Sequence, residues 1–228
     1  MPGLFFFTGT CDVAVGNLWP GVRAAAGQPV IIDLLCHAAT GRAGYLDGRK
    51  AVEPLPGALD ALCRAHCGIG WSSVVSAPGL ACAQSAQALV AGAGLAVSVD
   101  ADWREVDFGD WDGMPIDVLD ADALAAFFDP PHEGIPPGGE SWQARDARLE
   151  IALQRLLDGA RQQEGISLLV AQPGPIRWLL WRLAGIPFEA LWGLRIGEGS
   201  RLRLDVRCGG QGPWAELVEL RQCAAVPA

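Results

Sequence analysis

Four small groups of side chains have types and spacings that can do chemistry. The first is His37, which follows directly on the apolar run VIIDLLC. An imidazole just past a buried strand can serve as base or nucleophile, and its plainer alternative is an ordinary loop histidine. The second is Glu105, in REVDFGDWDG with Asp107, Asp110 and Asp112. A carboxyl tucked among rings such as Phe108 and Trp111 loses hydration and can be held in its acid form as a proton donor. The same loop could hold a cation, but its acids do not fall at calcium-loop spacing. The third is CRAHC, where His66 stands between Cys63 and Cys67. A closed zinc site needs a fourth ligand that no partner pair supplies, so cysteines packed as small apolar residues is the preferred reading. The fourth is Cys36 with Arg42, a C-x5-R spacing in which a thiolate and an arginine could wrap a phosphate, although Ala43 follows the arginine. The remaining histidine, His132, lies between prolines and a glycine and reads as solvated.

The elements that must position these groups alternate. Val30–Cys36 is a short, nearly continuous apolar run, as a buried parallel strand requires. A helix is expected over 57–67 and a strand over 72–76. Pro78 opens an alanine-rich helix reaching about residue 91, since proline is tolerated in a first turn. A third strand falls at 95–99, an aromatic and acidic loop at 103–115 and a small helical insert at 117–128. PPHEGIPPGGE is a loop, and Ser141 is the expected N-cap of a helix with Leu149, Ala152, Leu153, Leu156, Leu157 and Ala160 at helical spacing. Then come a strand at 166–171, a helix at 175–184, and two or three antiparallel strands over 194–220. This order predicts an α/β fold, a three-layer α/β/α sandwich around a mostly parallel sheet. Sites in such sheets lie beyond the carboxyl ends of the strands, which singles out 36–40, 76–81 and 172–174. Residues 1–29 lack periodicity and read as an N-terminal extension, with one domain over 30–228.

Composition narrows the function. The chain has 228 residues, 50% of them apolar and 19% charged, which suits one domain and excludes a disordered chain. No apolar run is long enough to span a membrane. The formal charge of −9 argues against a nucleic-acid surface, yet a local pocket on an acidic protein can still be positive. Seven cysteines without framework spacing, and no basic stretch before Leu4 to Phe7, point to the cytoplasm. Of the nine tryptophans, Trp103, Trp111 and Trp142 fall near the expected site. An aromatic wall there would suit a flat ring, but packing of the insert against the sheet is preferred. Trp178 and Trp181 read as core or dimer surface, and a homo-oligomer is compatible with the sequence.

Taken together these landmarks resemble the histidine phosphatase superfamily, of phosphoglycerate-mutase-like fold. LLCHAAT is similar to its first-strand motif, Leu-(Ile/Leu)-Arg-His-(Gly/Thr)-x-Thr. GYLDGR with Pro54-Leu55 resembles the loop that follows. SAPGLACAQSA resembles S-S-P-L-x-R-A-x-Q-T-A. REVDFGDWDG and PPGGESW resemble the family's Glu-x-x-Phe-Gly and Pro-Gly-Gly-Glu-Ser elements, and LLVAQPGPIRWLL its V-x-His-Gly-Gly-x-Ile-Arg. GYLDGR and DFGDWDG look most like the α-ribazole phosphatases of cobalamin synthesis. The resemblance implies a small phosphorylated or nucleotide-like substrate and no metal or cofactor. In that chemistry a neutral imidazole forms a phosphohistidine, a glutamic acid protonates the leaving oxygen, and arginines with a second histidine hold the phosphoryl group.

Carried over residue by residue, His37 matches the nucleophile and Glu105 the proton donor. The phosphate-binding positions have lost their cations: Cys36 and Ala81 stand where arginines are usual, Gln172 where the second histidine is, and Ala38 replaces a glycine. Arg42 and Arg49 are the compensating candidates, while Arg177 matches an arginine in the following helix and is a poorer one. The preferred expectation is the fold with phosphatase activity lost or strongly reduced. The alternative is a working phosphomonoesterase using His37 with a rebuilt pocket, and the third is the Cys36–Arg42 reading.

Overall fold

The computed structural model describes residues 28–129, 133–210 and 212–223. The expected extension lies outside these residues save for Gln28 and Pro29, as does His132. The strands are β1 (Val30–Cys36), β2 (Trp71–Ser76), β3 (Val97–Val99), β4 (Ile166–Ala171), β5 (Arg201–Gly209) and β6 (Gly212–Arg221). The helices are α1 (Ala58–Ala65), α2 (Leu80–Leu89), α3 (Ala121–Phe128), α4 (Trp142–Gln162) and α5 (Pro173–Ala184). All the strands join one sheet in the order β3-β2-β4-β1-β5-β6. Pairing is parallel from β3 through β1 and antiparallel across β5 and β6. Five consecutive residues bury at the end of β1 and five at the end of β4, so both faces of the central strands are covered. That coverage is the three-layer α/β/α architecture.

Several boundaries move for local reasons. Pro78 precedes α2 instead of opening it; Gly79 is the N-cap. Helix α5 starts at Pro173, two residues early, because a first-turn proline gives up no needed amide. Ser141 caps α4 as expected, its hydroxyl accepting from the Ala144 amide. The tail forms two strands, preceded by a 3-10 turn at Phe188–Gly193. Strand β1 also carries an exception to its apolar character, since Asp33 is wholly buried. Its Oδ1 accepts from Arg201 at 3.0 Å and Arg203 at 2.7 Å, and its Oδ2 from Arg203 and the Trp71 indole at 2.9 Å each. One carboxylate thereby ties β1 to β5 and to β2.

Candidate functional site

The carboxyl ends of β1, β2 and β4 open into a cavity of about 1330 Å³ whose lining includes His37, Ala81, Glu105 and Gln172. The three loops singled out from the sequence therefore do meet. His37 is fixed from both sides. The Gly199 amide, just before β5, donates to the carbonyls of Cys36 (3.1 Å) and His37 (2.8 Å). Across the loop, the Ala38 amide donates to Ser85 Oγ (2.9 Å), whose own hydroxyl donates to Ala81 in α2. The His37 ring contacts the Ala38 carbonyl through Nδ1 at 2.8 Å. A carbonyl only accepts, so Nδ1 is the donor there, and in the neutral imidazole this leaves the lone pair on Nε2.

Glu105 is buried and lines the same cavity, but its immediate partners are amides and not aromatic rings. Oε1 accepts from Val106 N (2.9 Å) and Oε2 from Gly174 N (2.8 Å), in the first turn of α5. The backbone that carries it is gripped by Arg148 of α4. That guanidinium donates to the carbonyls of Asp102 and Arg104 (2.8 Å each) and Glu105 (3.0 Å), and it forms an ion pair with Glu140. Glu140 in turn accepts from the Asp107 amide at 2.9 Å. Phe108 packs with Phe127 and Trp142 in a separate aromatic cluster beneath the loop. Of the three tryptophans expected near the site, Trp142 lines the cavity and Trp103 belongs to the main core, while Trp111 packs on Phe127.

Both arginines expected to compensate are engaged by carboxylates. Arg42 lines the cavity, but Asp47 takes its guanidinium in a two-pronged pair at 2.7 and 2.6 Å, and Tyr45 stacks beneath it. The Asp47 hydrogen bond raises the Arg42 pKa, the mark of a committed charge. Arg49 is exposed and pairs with Asp107 at 3.1 Å, outside the lining. In this arrangement Arg42 faces Asp47 and Arg49 faces Asp107. Cys36 is fully buried in the core and does not line the cavity. Burial pushes its thiol far up, Glu198 and Glu105 adding to this while Arg177 and the His37 amide oppose it. With its sulfur buried off the cavity and Arg42 turned to Asp47, the structure does not support the cysteine-phosphatase reading or Cys36 as a phosphate-binding position. Ala81 and Gln172 do line the cavity; Gln172 donates to the Asp47 carbonyl at 3.2 Å, and its Oε1 is buried without a partner.

No group of three or more potential metal ligands occurs among the described residues. His66 instead sets Nε2 2.9 Å from the Gly199 carbonyl, and Cys63 and Cys67 are free thiols. Four contributors went unread in the sequence: Arg148, Gly174, Ser85 and Glu198. The last accepts from both the amide (2.7 Å) and hydroxyl (2.5 Å) of Thr40 and lines the same cavity as His37. Only Arg148 and Gly174 had a signal, as one of two arginines, with Arg145, on the buried face of α4 and as a glycine opening a helix.

Residues 58–217 match the histidine phosphatase superfamily (branch 1). The match begins after His37. The chain is 31% identical over 115 residues to an adenosylcobalamin/alpha-ribazole phosphatase of Escherichia coli (strain K12), covering 49% of this chain and 56% of that protein. It is 30% identical over 110 residues to the protein of that name from Salmonella typhimurium, covering 47% and 53%. The chain thus spans about half the length of the curated relatives it matches. Among solved structures it resembles the alpha-ribazole phosphatase from Shigella flexneri, with a TM-score of 0.69 at 22% identity over 82% of this chain and 95% of the other. It also resembles a mycobacterial glucosyl-3-phosphoglycerate phosphatase, with a TM-score of 0.71 at 25% identity over 86% and 100%.

Proposed function

The chain belongs to the histidine phosphatase superfamily (branch 1), and from that premise we propose that it keeps the family's binding cavity while its phosphoryl-transfer activity is lost or strongly reduced. The ligand it would take is small, phosphorylated or nucleotide-like, in the manner of its α-ribazole phosphatase relatives. One observation carries the reading: Asp47 holds the Arg42 guanidinium in two hydrogen bonds, so the nearest loop arginine cannot replace the missing cradle. A transferring phosphoryl group needs fixed positive charge around its oxygens. Removing one such donor costs roughly 3 kcal/mol, on the order of a hundred- to a thousandfold in rate. Ala81 and Gln172 bring no charge, and Cys36 is out of reach. Such losses act as a unit and do not simply add, but together they leave little turnover.

A second reading is favoured by the state of His37. With Nδ1 bonded to the Ala38 carbonyl, Nε2 is free to attack phosphorus, and Glu105 lines the same cavity as the candidate proton donor. On this reading His37 forms a phosphohistidine that water hydrolyses, and each Glu105 oxygen has a further lone pair for the proton it would carry. Phosphate release from α-ribazole 5′-phosphate separates the two. The expected result is release at or near background from the purified chain. Robust release abolished by His37→Ala but not by Cys36→Ser would establish the working phosphomonoesterase instead. Where the wild type is silent, the double variant Ala81→Arg, Gln172→His should gain activity, because both positions face the cavity. A cytoplasmic location goes with this reading, supported by six free cysteines among the described residues.

A further inference from the structure

Arg177 stands apart from the other basic residues of the cavity. Arg42 is paired with Asp47, and Arg145 with Asp146 at 2.7 Å. Lys50, Arg195 and Arg221 are exposed. Arg177 is half-buried on α5, one turn past Gly174, and makes no ion pair with any described residue. Its Nε is buried without a hydrogen-bond partner, and its guanidinium carbon lies 4.9 Å from the centre of the Trp192 ring. Burial pulls its pKa down, with the charge of Glu105 opposing. A half-buried guanidinium with a buried, unbonded Nε and no paired carboxylate gains from an arriving anion.

The surroundings limit what that anion can be. Glu105 and Glu198 line the same cavity, and the Asp47 charge is already met by Arg42. A dianion would face two carboxylates with one half-buried unpaired guanidinium, the remaining unpaired cations of the lining being exposed, whereas a single negative charge is matched by Arg177. Beside Arg177 the wall is aromatic. Trp192 is 47% exposed and packs edge-on against Phe128 (5.5 Å) and Phe188 (6.1 Å), and Trp142 continues the wall behind Phe188 (5.4 Å). Such a surface takes flat rings.

We propose that Arg177 is the anion anchor of this cavity, and that the ligand class is an aromatic ring bearing one negative charge, such as a carboxylate, sulfonate or phosphodiester, with the ring laid on the Trp192 wall. The proposal rests on the reading that the phosphate cradle is lost, and it names what the remaining site would hold. Indole-3-acetate and its near-isosteric neutral partner indole-3-acetamide are suitable probes, titrated calorimetrically into the full chain. The acetate should bind about tenfold or more tighter than the amide, the difference made by one charge-assisted contact. Arg177→Gln should erase that difference while leaving amide binding, Arg177→Lys should restore part of it, and Trp192→Leu should weaken both probes. Benzenesulfonate should bind more tightly than phenyl phosphate in its dianionic form. Equal binding of acetate and amide by the wild type, a preference that survives Arg177→Gln, or binding of neither probe would overturn the proposal. The wild-type comparison decides even if the Arg177→Gln chain fails to fold. Turnover of α-ribazole 5′-phosphate would sink the impaired-enzyme reading and leave this charge preference measurable by itself.

Discussion

The Gly174 amide donates to Glu105 Oε2 at 2.8 Å, and a Cβ on residue 174 would sit 2.6 Å from the Glu105 carboxyl carbon. The carboxylate therefore occupies the space a side chain would fill. It also sits where the first turn of α5 presents unpaired amides, a place that favours negative charge. Gly174→Ala must displace Glu105 or shift the helix. The expected loss is about 1–3 kcal/mol of stability by urea unfolding, as for other overpacked sites. Phosphate release by a cavity-restored variant should fall with it. A Gly174→Ala chain as stable as the wild type would contradict this packing.

Arg148 acts on Glu105 from behind. Its guanidinium spans three backbone carbonyls of the 102–105 stretch and the Glu140 carboxylate, and both side chains are largely buried. Arg148→Met strips three carbonyls of their donor and leaves Glu140 unpaired. Breaking a buried pair from one side costs about 3–5 kcal/mol. The readout specific to this loop is amide exchange: protection at Val106 and Asp107 should drop well before that of β4. Uniform loss of protection across the chain would instead mean that Arg148 holds the whole core.

Much of the scaffold was legible because its signals are local. The run VIIDLLC is buried along most of its length, so composition alone marks β1, and Ser141 caps α4 because a hydroxyl three residues ahead of an amide can hardly do otherwise. The meeting of residues 37, 81 and 172 followed from topology, since parallel strands deliver their carboxyl ends to one edge. What stayed hidden depends on distant pairing. Nothing near Arg177 in sequence says that it will be left without an acid. Asp33 interrupts an apolar strand, and its partners Arg201 and Arg203 lie far along the chain.

That Asp33 cluster makes its own prediction. Asp33→Ala leaves Arg201, itself buried, with only Glu219 at 2.6 Å, and it strips the Trp71 indole of its acceptor. The expected destabilisation is about 3–5 kcal/mol. Asp33→Leu combined with Arg201→Met should recover most of it, because a well-packed apolar pair can replace a buried ionic one. Were the single variant nearly neutral in urea unfolding, the cluster would not be what ties β1 to β5.

His66 gives the fold a pH dependence whose sign can be worked out. Its Nε2 donates to the Gly199 carbonyl at 2.9 Å, and its Nδ1 is buried without a partner. Burial holds its pKa below the ordinary 6.5; the Gly199 bond and Asp33 oppose this, while Arg201 and Arg221 add to it. The unfolded chain therefore takes up a proton at a higher pH than the folded one. Stability from this group is fully present above the unfolded value and is lost as pH falls through it toward the lower folded one, by at most about 1.4 kcal/mol per pH unit. Urea midpoints of the wild type should decline between about pH 7 and about pH 5 more steeply than those of His66→Gln, whose amide can still donate to Gly199 but does not titrate. Parallel profiles for the two chains would show that His66 is not the titrating group. Because Gly199 also holds the His37 carbonyl at 2.8 Å, acid should loosen the cavity loop along with the fold.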